Sequence, residues 1–206
     1  MRSASTHFGD LMAPAVVTNS PSTISSTTIV NGLKTEANPS TNELLQFTPL
    51  ERILITANGN LQRIVSSYHA KPVEVKVVYN NETETKGVFF RQVTLHLDHS
   101  VAPFCTATSK VTVSNDEMLQ AISSNQIGIG QLFRHFDTLP VFTLLAVKRG
   151  ICENASDVVE TSTLTLPSSN IQKLNSNDSF WRLYQLEAAA GIVCLIHEQF
   201  EGNVFE

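Results

Sequence analysis

The sequence predicts an α+β domain built on a single antiparallel β-sheet with flanking helices, and three observations predict it. Residues 73–79, 87–97 and 103–113 alternate apolar and polar side chains with period two, and polar turns such as Asn80-Asn81 separate them, so they read as strands in hairpin succession. Residues 180–187 and 192–200 repeat the pattern around Ala189-Ala190-Gly191. Helical signals fall before and between these runs rather than alternating strictly with them, which separates α+β from a βαβ architecture.

Taken in order, residues 1–42 differ from the rest. Residues 17–28 are dominated by Ser, Thr, Asn and Pro, and no period is visible, so the stretch is read as a disordered polar tail ahead of a domain spanning 43–206. Thr48-Pro49-Leu50-Glu51 has the form of a capping box with proline at the first helical position. The helix it opens carries Leu50, Ile53 and Leu54 inward and stops at Asn58-Gly59. A second short helix follows over 61–68, then the three strands. Ser114-Asn115-Asp116-Glu117 reads as another capping box, opening a helix to Ser123, and Gly128-Ile129-Gly130 leads into a helical turn over 131–136. Residues 141–148 form a strand, 153–178 a polar stretch with a short strand and a long loop, and the last two strands close the chain.

Composition removes several function classes. The chain has 206 residues, 42% of them hydrophobic and 16% charged, enough for one well-buried domain. Lys plus Arg total 14 against 19 for Asp plus Glu, a net charge of −5 without any basic run, which argues against nucleic acid as a partner. No apolar stretch reaches the ~18 residues a membrane span needs. Cys105, Cys152 and Cys194 are odd in number and widely spaced, so neither a disulfide framework nor a zinc site is read, and the N-terminus lacks a compact apolar signal core. The three Asn-x-Ser/Thr sequons, at Asn81, Asn154 and Asn177, are then chance occurrences in a cytoplasmic protein.

Familiar catalytic motifs are missing: there is no GxSxG elbow, P-loop or HExxH. Gly128-Ile129-Gly130 lacks the third glycine of a dinucleotide fingerprint and suits close backbone approach at a helix start instead. His96, Asp98 and His99 form the one metal-like cluster, but their face continues from Gln92 and Thr94 and reads as a solvated strand face, so no metal is assigned.

Strand faces give the sharper signal. Phe89, Arg91, Val93, Leu95 and Leu97 share a face, as do Ile192, Cys194, Ile196, Glu198 and Phe200. Arg91 and Glu198 therefore sit in apolar rows, where an unpaired charge costs several kcal/mol. Either the two form a buried ion pair, or Arg91 grips a ligand carboxylate with its planar fork and Glu198, removed from water, exchanges a proton with the ligand or bonds to its hydroxyl. Arg182 lies in a strand that alternates less cleanly and is read as an edge or rim residue.

Four segments occur in an order that resembles the chorismate lyase (chorismate–pyruvate lyase) family. They are Ile53-Leu54-Ile55 before Asn58-Gly59-Asn60, Phe90-Arg91-Gln92-Val93-Thr94-Leu95, Ile127-Gly128-Ile129-Gly130 before Gln131-Leu132-Phe133, and Ile196-His197-Glu198-Gln199-Phe200. The resemblance spans roughly residues 44–205 and implies a small antiparallel sheet with an enclosed ligand pocket beneath two helical flaps. It also implies a cofactor-free lyase that eliminates pyruvate from chorismate to give 4-hydroxybenzoate, a quinone precursor in ubiquinone or plastoquinone biosynthesis, and that works as a monomer. The family's pocket Arg and Glu fall on Arg91 and Glu198, the pair that face alternation singles out, and its further substrate contacts fall on or beside Asn60 and on Ile129. A rival from another class is a non-catalytic small-molecule-binding domain of the same fold, as in the effector-binding domains of bacterial repressors.

Overall fold

In the computed structural model of the chain, which describes residues 27–30, 33–36, 39–124, 128–161, 179–189, 191–202 and 204–205, six strands form one antiparallel sheet. These are β3 (Val73–Glu82), β4 (Val88–Leu97), β5 (Cys105–Val113), β6 (Val141–Arg149), β7 (Phe180–Ala188) and β8 (Ile192–Phe200). Their order is β3-β4-β5-β8-β7-β6, so two three-stranded meanders are joined through β5 and β8 at the middle, and β3 and β6 are the edges. The α+β architecture with one antiparallel sheet is therefore as the sequence predicts.

Helices cover both faces. α2 (Pro49–Thr56), α3 (Leu61–His69), α4 (Asp116–Ser123) and α5 (Ile129–His135) send Leu54, Ile55, Leu61, Val65, Met118, Ile122, Leu132 and Phe133 into the main core against one face of the sheet. On the other face α6 (Ala155–Thr161) packs over β5 and β8, and its Val158 joins Leu145, Trp181, Leu183 and Leu195 in a second, smaller cluster.

The start of α2 follows its sequence signature: Thr48 Oγ1 accepts from the Glu51 N–H, and Glu51 accepts from the Thr48 N–H at 2.6 Å, with Pro49 in the first turn. Its inward face is shifted by one position, because Ile55 and Glu51 are buried with Leu54 while Ile53 is exposed. Glu51 is buried because Arg149 clamps both of its oxygens at 2.6 Å. The start of α4 differs. Asn115, not Ser114, is the cap, accepting from the N–H groups of Glu117 and Met118, because Ser114 is tied to the β7–β8 turn through the Gly191 carbonyl.

Two further differences concern irregular stretches. Where a short strand and a long loop are predicted over 153–178, the chain forms α6; residues 162–178 lie outside the described residues. Within the stretch predicted as a tail, β1 (Thr27–Val30) pairs with β2 (Leu33–Glu36) as an antiparallel ribbon separate from the main sheet, and α1 (Thr41–Leu45) begins behind a Ser40 capping box. Residues 1–26 of that stretch lie outside the described residues. Among the described residues no helix is long and apolar enough to cross a membrane.

Candidate functional site

A cavity of about 660 Å³ lies against the face of the sheet that carries α2–α5, and Arg91, Glu198, Asn60 and Ile129 all line it. Strand order explains why the first two meet. Arg91 is on β4 and Glu198 on β8, the two neighbours of β5, and their partners on β5 are two residues apart, so their backbones stand about 12 Å apart, two strand spacings across and two residues along. Between them β5 presents Ala107 and Ser109, paired in register with Glu198 and Arg91 respectively, and both also line the cavity. Small side chains on this middle strand leave a floor over which the two charged groups lean.

The roof comes from three loops. Asn58, Gly59 and Asn60 join α2 to α3, Gly128 to Gln131 open α5, and Thr138, Leu139 and Pro140 lead into β6. Gly59 has φ +68°, a conformation that favours glycine, and a Cβ on Gly130 would lie 3.4 Å from the Gly59 carbonyl oxygen, so the first two loops touch at their glycines. Asn60 is the N-cap of α3 but its side chain makes no capping bond. Ile129 contributes the first turn of α5. Ile127, which precedes this segment, lies outside the described residues.

Glu198 pairs with Arg182, not with Arg91. The two residues face each other across β7 and β8, and Arg182 Nε donates to Glu198 Oε2 at 2.7 Å. The other carboxylate oxygen accepts from Tyr184 Oη at 2.8 Å. Arg182 is fully buried, which corrects its reading as a rim residue, and its Nη1 donates to the carbonyls of Leu54, Ile55 and Ala57 at 2.6, 2.9 and 2.8 Å. These carbonyls end α2, where helix geometry leaves acceptors without partners. A single guanidinium thus closes the helix, holds Glu198 and fixes the chain that enters the Asn58–Asn60 loop. Its plane also lies over the Tyr184 ring, 4.3 Å from the centroid. Burial is the largest influence on Arg182 and disfavours its charge, but the field and hydrogen bond of Glu198, with Tyr184 and Cys105 beside them, together hold the guanidinium above its ordinary value. Burial, reinforced by Glu198, pushes the Tyr184 hydroxyl well up, so it stays a donor.

Arg91 has no such support. It is 2% exposed, its Nη1 is buried without a hydrogen-bond partner, and among the described residues no carboxylate pairs with it. Burial lowers its affinity for its proton, opposed only by the neighbouring Cys194. With Glu198 neutralised by Arg182, the cavity carries an uncompensated buried cation, the arrangement expected of a site that receives an anion.

Sequence reasoning misplaced Arg182 at the rim and missed Tyr184. They share the inward row of β7 with Phe180 and Leu186, but the outward row holds Trp181 and Leu183, which the α6 cluster buries, so the strand is apolar on both faces and shows no contrast to read. The face of His96 is likewise less wet than its composition implies. His96 is buried, with Nδ1 3.2 Å from the Ser100 carbonyl and Nε2 3.0 Å from Thr94 Oγ1, so both ring nitrogens are engaged within the protein. Neither a scan of protein-family models nor a search of curated proteins returns a match for this chain.

Proposed function

We propose that this chain is a chorismate lyase, eliminating pyruvate from chorismate to leave 4-hydroxybenzoate, in a pocket of chorismate lyase-like build whose flaps are the Asn58–Asn60 and Gly128–Gln131 loops. The observation that carries the reading is Arg91: among the described residues, a buried guanidinium without an anionic partner, lining a cavity in which the carboxylate of Glu198 is already claimed by Arg182.

In this reading Arg91 takes the ring carboxylate in a two-pronged hydrogen bond. Asn60 and the backbone at Ile129 touch the bound molecule from the roof. Both Glu198 oxygens accept hydrogen bonds, which suits the carboxylate form. It then serves as acceptor for the C4 hydroxyl rather than as acid to the leaving ether. The C3–O bond breaks, the C4 hydrogen leaves as a proton, and the enolpyruvyl group takes up a proton to become pyruvate. Aromatisation of the ring drives the reaction, so the chemistry calls for no redox cofactor or metal. Closed over the ligand, the loops exclude water and strengthen both charged contacts. The product keeps its carboxylate on Arg91, which makes release a slow step. The protein would act in the cytoplasm as a monomer on small molecules, without nucleic acid or membrane, in the supply of a quinone precursor.

The test is to incubate the purified chain with chorismate and follow both products. Equimolar 4-hydroxybenzoate and pyruvate are expected. Tight binding of 4-hydroxybenzoate with no pyruvate above the uncatalysed background would reassign the chain to a non-catalytic small-molecule-binding domain.

A further inference from the structure

Arg91 stands at a boundary on the sheet face. Along β4 in one direction its row continues to Phe89, which is packed in the core. In the other direction it continues to Val93 and Leu95, both of which line the cavity. The neighbouring edge strand extends this surface: Val77 pairs with Val93 and Val75 with Leu95, and Val73 follows along β3. Five aliphatic side chains thus form one continuous floor that starts beside the guanidinium and runs about 13 Å along the strand, four residues at the strand rise. This floor is incompletely covered: Val73, Val75 and Val93 are half-buried and Val77 is 40% exposed. No polar side chain interrupts it, so neither the C4 hydroxyl nor the ether of chorismate has a partner there.

From this juxtaposition of an unpartnered buried cation and an aliphatic floor we infer a second subsite of the cavity: it binds aliphatic monocarboxylates of medium chain length, with the head group on Arg91 and the tail along Val93, Leu95, Val75 and Val73. The charge at one end of the floor sets the polarity of the guest, and the length of the floor sets its reach. The head of such a molecule and the ring carboxylate of chorismate need the same guanidinium, so the two compete. The inference rests on the carboxylate-binding role proposed for Arg91 and not on turnover.

Calorimetric titration of the purified full-length chain with butyrate, hexanoate, octanoate and decanoate tests it, with 4-hydroxybenzoate titrated alongside. Each methylene laid on the floor leaves water, so affinity should rise at least a hundredfold from butyrate to decanoate. Decanoate should displace 4-hydroxybenzoate, and decanol, lacking the anion, should not. Val75→Ser should flatten the chain-length series, and Arg91→Met should abolish carboxylate binding at every length. A flat series in the wild-type chain with normal 4-hydroxybenzoate binding overturns the subsite and leaves the lyase reading standing. A steep series with no 4-hydroxybenzoate binding does the reverse. Reversible dimerisation that is lost in Val77→Asp, with no response to decanoate, would give the floor to a second copy of the chain and also overturn the subsite.

Discussion

Arg182 and Glu198 face each other across β7 and β8 and are joined at 2.7 Å, and this pairing takes the carboxylate that Arg91 would otherwise have faced across β5. Arg182 is held by Glu198 and by three carbonyls at the end of α2, with only its Nη2 left without a partner, whereas Arg91 pairs with no carboxylate among the described residues. The site therefore separates a paired guanidinium from an unpaired one.

Glu198→Gln tests both sides of that separation. The amide can still accept from Arg182 Nε, but the buried guanidinium loses its counter-charge. Breaking a buried pair at one partner costs about 3 to 5 kcal/mol, and the retained hydrogen bond places this variant near the lower end. Urea unfolding should show a loss on the order of 3 kcal/mol, and chorismate turnover should fall at least about 100-fold at saturation. Undiminished stability would mean that Glu198 is not the neutralising partner of Arg182.

Arg91 should behave in the opposite way. Removing a buried charge that has no partner relieves a desolvation cost, so Arg91→Met should leave the melting temperature unchanged or raise it while binding of 4-hydroxybenzoate is lost. Arg91→Lys keeps the charge but not the planar fork, and affinity for 4-hydroxybenzoate should drop at least about tenfold, or ~1.4 kcal/mol. A stability loss in Arg91→Met comparable to that of Glu198→Gln would show that Arg91 is a structural cation after all.

What the sequence made legible and what it hid follow from the same physics. Arg91 and Glu198 were readable because each interrupts an apolar row that faces a more polar one: Gln92 and Thr94 behind Arg91, His197 and Gln199 beside Glu198. Their convergence followed from strand order, which brings β4 and β8 to either side of β5. Arg182 was misread because β7 is sandwiched between two cores and has no polar face for comparison. The identity of Glu198's partner was hidden for a second reason. Pairing across β7 and β8 is local and antiparallel, but an ion pair between Arg91 and Glu198 is equally compatible with alternation, and only the register distinguishes them. Glu51 shows the same limit: its capping role was in the sequence, whereas its clamp on Arg149, 98 positions away, was not.

That clamp predicts acid sensitivity. Burial raises the Glu51 carboxyl, but hydrogen bonds from Arg149 and Thr48 more than reverse this and leave it below its ordinary value of 4.5. A carboxylate depressed in the folded state contributes stability that is present above its unfolded value and is lost as pH falls through the folded one. Glu51→Gln should therefore be less stable than wild type at neutral pH, with the gap closing below about pH 4. Urea midpoints of the two proteins measured across that range check it; a constant gap would count against the clamp.

His197 supplies the complementary, earlier loss. It lies on the outward row of β8, 1% exposed, against the Trp181 ring with centroids 5.3 Å apart and planes tilted by 35°, and neither ring nitrogen has a hydrogen-bond partner. Desolvation lowers it from 6.5 to about 4, so it is neutral in the folded protein at physiological pH. Here the unfolded chain binds the extra proton between those two values, and stability falls as pH drops through 6.5, levelling off only below about 4. At about 1.36 kcal/mol per unit, the loss over this window is roughly 3 kcal/mol. His197→Phe keeps a ring against Trp181 and removes the proton, so its stability should be nearly flat between about pH 6.5 and 5.5, above the range in which Glu51 titrates. Trp181 is the sole tryptophan and gives a second readout, because a protonated imidazole in contact with an indole quenches its fluorescence. The emission of the folded protein should titrate with a midpoint near 4, and that step should be missing in His197→Phe. A midpoint near the ordinary 6.5 would mean that water reaches the ring and that the α6 side of the sheet opens far more readily than its packing implies.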